Sequence, residues 1–181
     1  MYYRLSRGAQ MKNFLLGSLV TILVMVVAGL IYMRLGLAEV RADAHPSFLE
    51  SSLMRMAVHA SVRKHANETP NPVAPTDENL IAGGKMYLNE CAGCHGTPGV
   101  APKWEDSLNP PAPQLPYIGT QYSEAQIFWV AKHGIRRTGM FANGAWGSDQ
   151  KLWTIAAYIY RIKNLPQKVA EEIEKAAKHQ G

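Results

Sequence analysis

Twenty consecutive residues, Phe14 to Met33 (FLLGSLVTILVMVVAGLIYM), carry no formal charge, and this run constrains the chain more than any other feature. A helix of that length spans about 30 Å, the thickness of a bilayer's hydrocarbon core. Gly17, Ser18, Thr21 and Gly29 are compatible with it, because a helix satisfies its own backbone in lipid. Arg4, Arg7 and Lys12 precede the run with no acid among them, whereas Arg34 and Arg41 follow it among Glu39 and Asp43. The positive-inside rule then places the N-terminus in the cytoplasm and the remainder outside, in the periplasm or its equivalent. A cleaved leader is the alternative, since Ala42-Asp43-Ala44 has the small-residue form of a cleavage site. The apolar run is longer than such leaders carry, and a charged stretch separates it from that site, so the sequence predicts a retained single-pass anchor. Met11 offers a second possible start and leaves this argument unchanged.

The rest of the 181-residue chain is ordinary in composition: 47% hydrophobic and 18% charged, which excludes wholesale disorder. A mean hydropathy of −0.15 excludes a polytopic membrane protein. The net charge of +5 is concentrated around the apolar run, with five basic and two acidic side chains in residues 1–44. No basic tract carries interleaved aromatics, so the pI near 9.2 does not argue for nucleic acid. The divisions expected are a cytoplasmic tail (1–13), the transmembrane helix (14–33), an amphipathic helix with a linker (34–77), a main domain (78–165) and a helical tail (166–181). Within 46–66, Leu49, Leu53, Met56, Ala60 and Arg63 recur at helical spacing. Such a face suits a membrane surface or a partner protein; a solvated spacer helix is the alternative. His45, His59 and His65 in this stretch read as surface residues. Pro70, Pro72 and Pro75 then mark a stiff, extended linker with a domain boundary at its end.

Both cysteines of the chain lie in Cys91-Ala92-Gly93-Cys94-His95. Two cysteines alone would fit a redox dithiol or half a zinc site. The adjoining histidine makes the pattern C-x-x-C-H, the attachment motif for c-type haem. Two thiols at this spacing add to the two vinyl groups, and the next residue is carried under the iron, so His95 becomes the proximal ligand. Zinc would need two further ligands, and a thioredoxin-like site would need a βαβ pattern that is absent.

With that motif, residues 78–165 resemble a class I, mono-haem c-type cytochrome domain, which is all-α. Gly83-x3-Tyr87-x3-Cys91 is similar to the first helix of that family, beginning at Thr76 or Asp77 as N-cap. Leu152-Trp153-Thr154-Ile155-Ala156-Ala157-Tyr158-Ile159 is similar to its last helix. The two cross in the family, and the glycine permits close approach. Independently of the family, Leu152, Ile155, Ala156 and Ile159 form one apolar face, and Pro166 follows the helix. Tyr87, Trp153 and Tyr158 read as core. A middle helix, Glu124 to His133, has Ser123 and Gln126 in a capping box, with Gly134 after it.

The resemblance implies one covalent haem c, held through Cys91 and Cys94, and a methionine ligand from the loop after the middle helix. Met140, 45 residues beyond His95 and preceded by Thr138-Gly139, matches that position. The family's usual proline after the ligand is replaced by Phe141. It further implies that a proline-rich loop supplies a carbonyl to the His95 Nδ1–H. In Asn109-Pro110-Pro111-Ala112-Pro113 the choice falls on Pro111. Arg136 and Arg137 are placed to pair with haem propionates. Trp104, Tyr117, Trp129 and Trp146 are expected to line or cover the haem, with His133 a surface residue at a helix end. The tail from Gln167 to His179, with Glu171–Lys175 and Glu174–Lys178 spacings, reads as a solvent-exposed helix.

The function expected is one-electron transfer between membrane redox proteins, with no small-molecule substrate and no catalytic residue. One alternative is a fixed cytochrome c subunit of a larger respiratory or photosynthetic complex. Another is a peroxidase-like enzyme or gas sensor with an open sixth iron position.

Overall fold

The computed structural model describes residues 2–98, 102, 104 and 107–178, with side chains from residue 8 onward. Expectations attached to Met1, to the side chains of Arg4 and Arg7, and to His179 lie outside these. The described residues form eight α-helices, with no strand: α1 (Tyr2–Arg34), α2 (Phe48–His65), α3 (Asp77–Glu90), α4 (Ala92–His95), α5 (Leu115–Ile118), α6 (Glu124–His133), α7 (Asp149–Arg161) and α8 (Gln167–Lys178), with a 3-10 turn at Asn143–Ala145. The chain divides into two compact units, Met1–Arg41 and Ala42–Gly181.

The first unit is essentially α1. Its segment Gly8–Arg34 is long and apolar enough to cross a membrane, and none of its most apolar window is buried. Leu16, Leu19, Leu23 and Leu30 are all exposed. A helix apolar around its whole circumference is what lipid requires and water disfavours.

In the second unit the core lies where α3 and α6 both pack against α7, and α8 adds to α3. Thr76 caps α3 by accepting from Asn79 N–H, and Ser123 and Gln126 close the capping box of α6. The crossing of α3 and α7 depends on Gly83: a Cβ there would collide with the Thr154 carbonyl oxygen. Leu152, Ile155, Ala156 and Ile159 are buried as expected, but so are Trp153, Thr154, Ala157 and Tyr158. The helix is covered on more than one face because it sits between α3 and α6. Phe128 stacks on Trp153 at 4.1 Å between centroids, which seals the α6–α7 contact.

Three expectations about the peripheral segments are corrected. The Pro-rich linker is docked on the main domain. Asn71 Nδ2 donates to the Trp153 carbonyl at 3.0 Å and to Glu124, whose other oxygen takes Arg161 Nη1 at 2.7 Å, and Glu68 accepts from Ser123 and Gln126. Secondly, α2 packs on α6 and buries its Val62, so it is not a solvated spacer, while the stripe of Leu49, Leu53 and Met56 faces outward and is exposed. His59 and His65 belong to the packed side. His59 Nδ1 is 2.7 Å from the Tyr122 hydroxyl, and His65 stacks on Trp129. Finally, α8 is not a solvated tail. Val169 and Ile173 are buried, and the Ile173 side chain fills the space a Cβ on Gly84 would need. Glu174–Lys178 is present at 2.9 Å, whereas Glu171 accepts from Gln167 instead of pairing with Lys175.

Candidate haem site

The chemistry-bearing residues stand on one turn. Cys91 ends α3, and its carbonyl accepts from Cys94 N–H at 3.1 Å and His95 N–H at 2.9 Å. In a helical turn, positions three and four apart share a face, so both thiols and the imidazole are presented together. Neither cysteine is in a disulfide. Burial pushes the Cys91 thiol up to about 12, with Glu90 adding to the effect, so it is held as the uncharged thiol.

His95 Nδ1 lies 2.9 Å from the Pro113 carbonyl oxygen. A carbonyl only accepts, so Nδ1 carries the proton and the Nε2 lone pair is free for a metal. Burial lowers the imidazole's affinity for a second proton, opposed by this same hydrogen bond, and keeps the ring neutral. The carbonyl comes from the expected proline-rich loop but not from Pro111. Pro113, two residues further on, directly precedes the turn into α5 and reaches the ring.

Two thiols and a neutral imidazole oriented by its far nitrogen form a donor set that fits covalently held haem. The carbonyls of the turn are also accounted for, because a helix as short as α4 leaves its last carbonyls without backbone partners. Gln114 Nε2 donates to Cys94 O at 3.2 Å. Tyr87 hydroxyl donates to His95 O at 3.2 Å and to Gly96 O at 2.8 Å, and Tyr117 hydroxyl approaches Thr97 O at 3.4 Å. Tyr87 is fully buried, as a core residue should be, but it also holds the haem turn. Burial raises its pKa and keeps the donor proton in place. Gln114 and the hydroxyl role of Tyr87 were invisible to motif reading. Only the spacing of Tyr87 four residues before Cys91 hinted at contact.

Met140 stands on a loop pinned by Thr138. The Thr138 hydroxyl accepts from Met140 N–H at 3.0 Å and donates to Ile135 O at 2.8 Å, and Ile135 N–H donates to Met140 O at 2.8 Å. The side chain of Leu108 occupies the space beside Gly139, so this loop touches the segment that leads into the Pro113 loop. Arg136 and Arg137 are exposed and make no ion pair among the described residues; Arg137 has φ of 62°. Trp104 lies 3.5 Å from the position of a Cβ on Gly93, within the motif. Trp129 is elsewhere: it sits between His65 and His133 on the α2–α6 side, with the exposed His133 ring tilted against it at 5.0 Å between centroids. Trp146 is 84% exposed.

Residues 78–159 match the family model described as cytochrome C oxidase, cbb3-type, subunit III. No solved structure matches the chain. The matched segment contains the two thiols, His95, Pro113 and Met140. The match supports a mono-haem c-type cytochrome domain, a kind of domain that transfers electrons through haem. The N-terminal apolar helix fits a membrane anchor.

Proposed function

We propose that this protein is a membrane-anchored one-electron carrier. One haem c would be bound through Cys91 and Cys94, with His95 and Met140 as axial ligands, and electrons would pass between membrane redox proteins. The observation that carries the reading is the His95 imidazole, neutral and held by Pro113 with Nε2 free, on the turn bearing both thiols. When bound, the haem supplies a reversible one-electron couple. The chain's own residues do the rest. Pro113 orients His95, and Thr138 shapes the Met140 loop. The exposed Arg136 and Arg137 offer cations for the propionates, and α1 confines the domain to the membrane plane. The N-terminus lies in the cytoplasm and the haem domain outside, following the basic residues before α1.

The test is an optical spectrum of the reduced protein with and without carbon monoxide, together with the methionine–iron charge-transfer band of the oxidised protein. A closed site gives the band and no carbon monoxide response, and Met140→Ala loses the band. Rapid carbon monoxide binding by the unaltered protein would instead favour an enzyme or gas sensor.

A second reading keeps the chemistry and makes the protein a fixed subunit of a larger complex. The outward stripe of Leu49, Leu53 and Met56, with Phe48 88% exposed beside it, favours this, as does the oxidase subunit named by the family match. Co-migration with other haem proteins after mild detergent extraction would support the subunit; a lone 20 kDa species would support the free carrier.

A further inference from the structure

The amide of Gln114 joins two pieces of chain beside the His95–Pro113 bond that must align them, with the Tyr117 hydroxyl reaching Thr97 O further along. Its Nε2 donates to Cys94 O at 3.2 Å and to Ala112 O at 3.1 Å. The first carbonyl belongs to the residue before His95. The second belongs to the residue before Pro113, whose own carbonyl receives the His95 Nδ1–H. One planar amide therefore spans the gap that this hydrogen bond must cross. The other half of the amide is committed differently: Gln114 Oε1 is buried and, among the described residues, accepts no hydrogen bond. It lies against Gly96, where φ is +78° and a Cβ would collide with that oxygen. An isolated buried acceptor is unfavourable. Gln114 is thus held with one end unsatisfied while the other end ties two backbone carbonyls together. Of the side chains that fill this space, Met and Leu lack a donor, and an ionised Glu would repel both carbonyls.

We propose that Gln114 is the positioning residue for the His95–Pro113 hydrogen bond, and through it sets how strongly the imidazole donates to the iron of a bound haem. The proposal rests on the reading of His95 as axial ligand. A firm Nδ1–H···O bond raises the basicity of Nε2 and favours the ferric state. Loosening the bond weakens that donation and raises the midpoint potential.

The experiment uses the full-length haem-loaded protein in detergent. Proton NMR of the ferrous form follows the His95 Nδ1–H and the Gln114 side-chain N–H protons, and redox titration gives the potential. In the unaltered protein both sets of protons should exchange slowly with solvent. Gln114→Met, which keeps the volume and removes the donor, should speed Nδ1–H exchange about tenfold, as loss of one hydrogen bond implies, and shift the potential upward. Ile173→Val, distant in α8, should lower stability and leave both readouts in place. Wild-type values of exchange and potential in Gln114→Met would overturn the proposal, as would equal shifts in Ile173→Val. Should Gln114→Met fail to fold, fast exchange of the Gln114 N–H protons in the unaltered protein would overturn it equally. Failure of the ligation reading is separate: the His95 ring protons would then lack the strong upfield shifts of an axial ligand.

Discussion

The turn that carries His95 and the loop that carries Met140 are built on opposite plans. Around His95, the carbonyls of Cys94, His95, Gly96 and Thr97 are each met by a side chain from elsewhere, and two of those donors, Tyr87 and Gln114, are themselves packed in place. Around Met140, the hydrogen bonds run within Ile135–Met140, centred on the Thr138 hydroxyl, while Arg136 and Arg137 are exposed and Arg137 adopts a left-handed conformation. The first is stabilised by the whole domain; the second is a local knot resting on Leu108. Built this way, the His95 turn is held rigidly and the Met140 loop is left free to respond to local change, since local opening follows where few buried contacts cross.

The comparison can be broken most severely at Gly83. Gly83→Val places two methyl groups against the Thr154 carbonyl and Tyr158. Overpacking of this kind costs about 3 kcal/mol or more. Chemical denaturation should show the loss, and the haem turn should fail with the fold, not separately. Next is Tyr87→Phe, which deprives two carbonyls of their donor inside the core. A loss of about 1–3 kcal/mol in urea unfolding is expected, with the Met140 charge-transfer band intact. If that band disappears first, the two halves of the site are coupled and the contrast is wrong.

Thr138→Val tests the other half. It removes the hydroxyl that both accepts from Met140 N–H and donates to Ile135 O. Global stability should fall by only about 1 kcal/mol, while carbon monoxide gains access to the reduced protein. The smallest effect expected is from Arg137→Gly. Glycine adopts the observed φ of 62° without the steric penalty, and its looser unfolded state offsets most of the gain, so stability should change by less than about 1 kcal/mol. A slower electron exchange in that variant, at unchanged stability, would identify the guanidinium as a propionate partner.

Much of the fold was readable because its signals are local. Thr76, Ser123 and Gln126 act within one turn of chain, and the structure places their caps as their positions imply. The apolar face of α7 follows from spacing, and the C-x-x-C-H turn from covalent chemistry. The failures are all cases where two distant segments meet. Pro111 and Pro113 are both prolines in one run, and only the placement of α5 and the following loop decides which carbonyl reaches His95. Trp129 has the look of a haem-pocket residue, but α2 returns to cover it with His65. The charge spacing of 167–178 describes the exposed side of α8, whereas Val169 and Ile173 on its other side decide where the helix goes.

The sequence by itself therefore determined the apolar helix, the turn that carries C-x-x-C-H and the order of helices, because hydrophobic run length, cap chemistry and thiol spacing act over a few residues. Only the tertiary structure decided that the linker and α8 belong to the same unit as the C-x-x-C-H turn, that Pro113 holds the imidazole, and that Tyr87 and Gln114 hold the turn. Those choices depend on which buried carbonyls lack partners once the helices have packed, and that is a property of the assembled core.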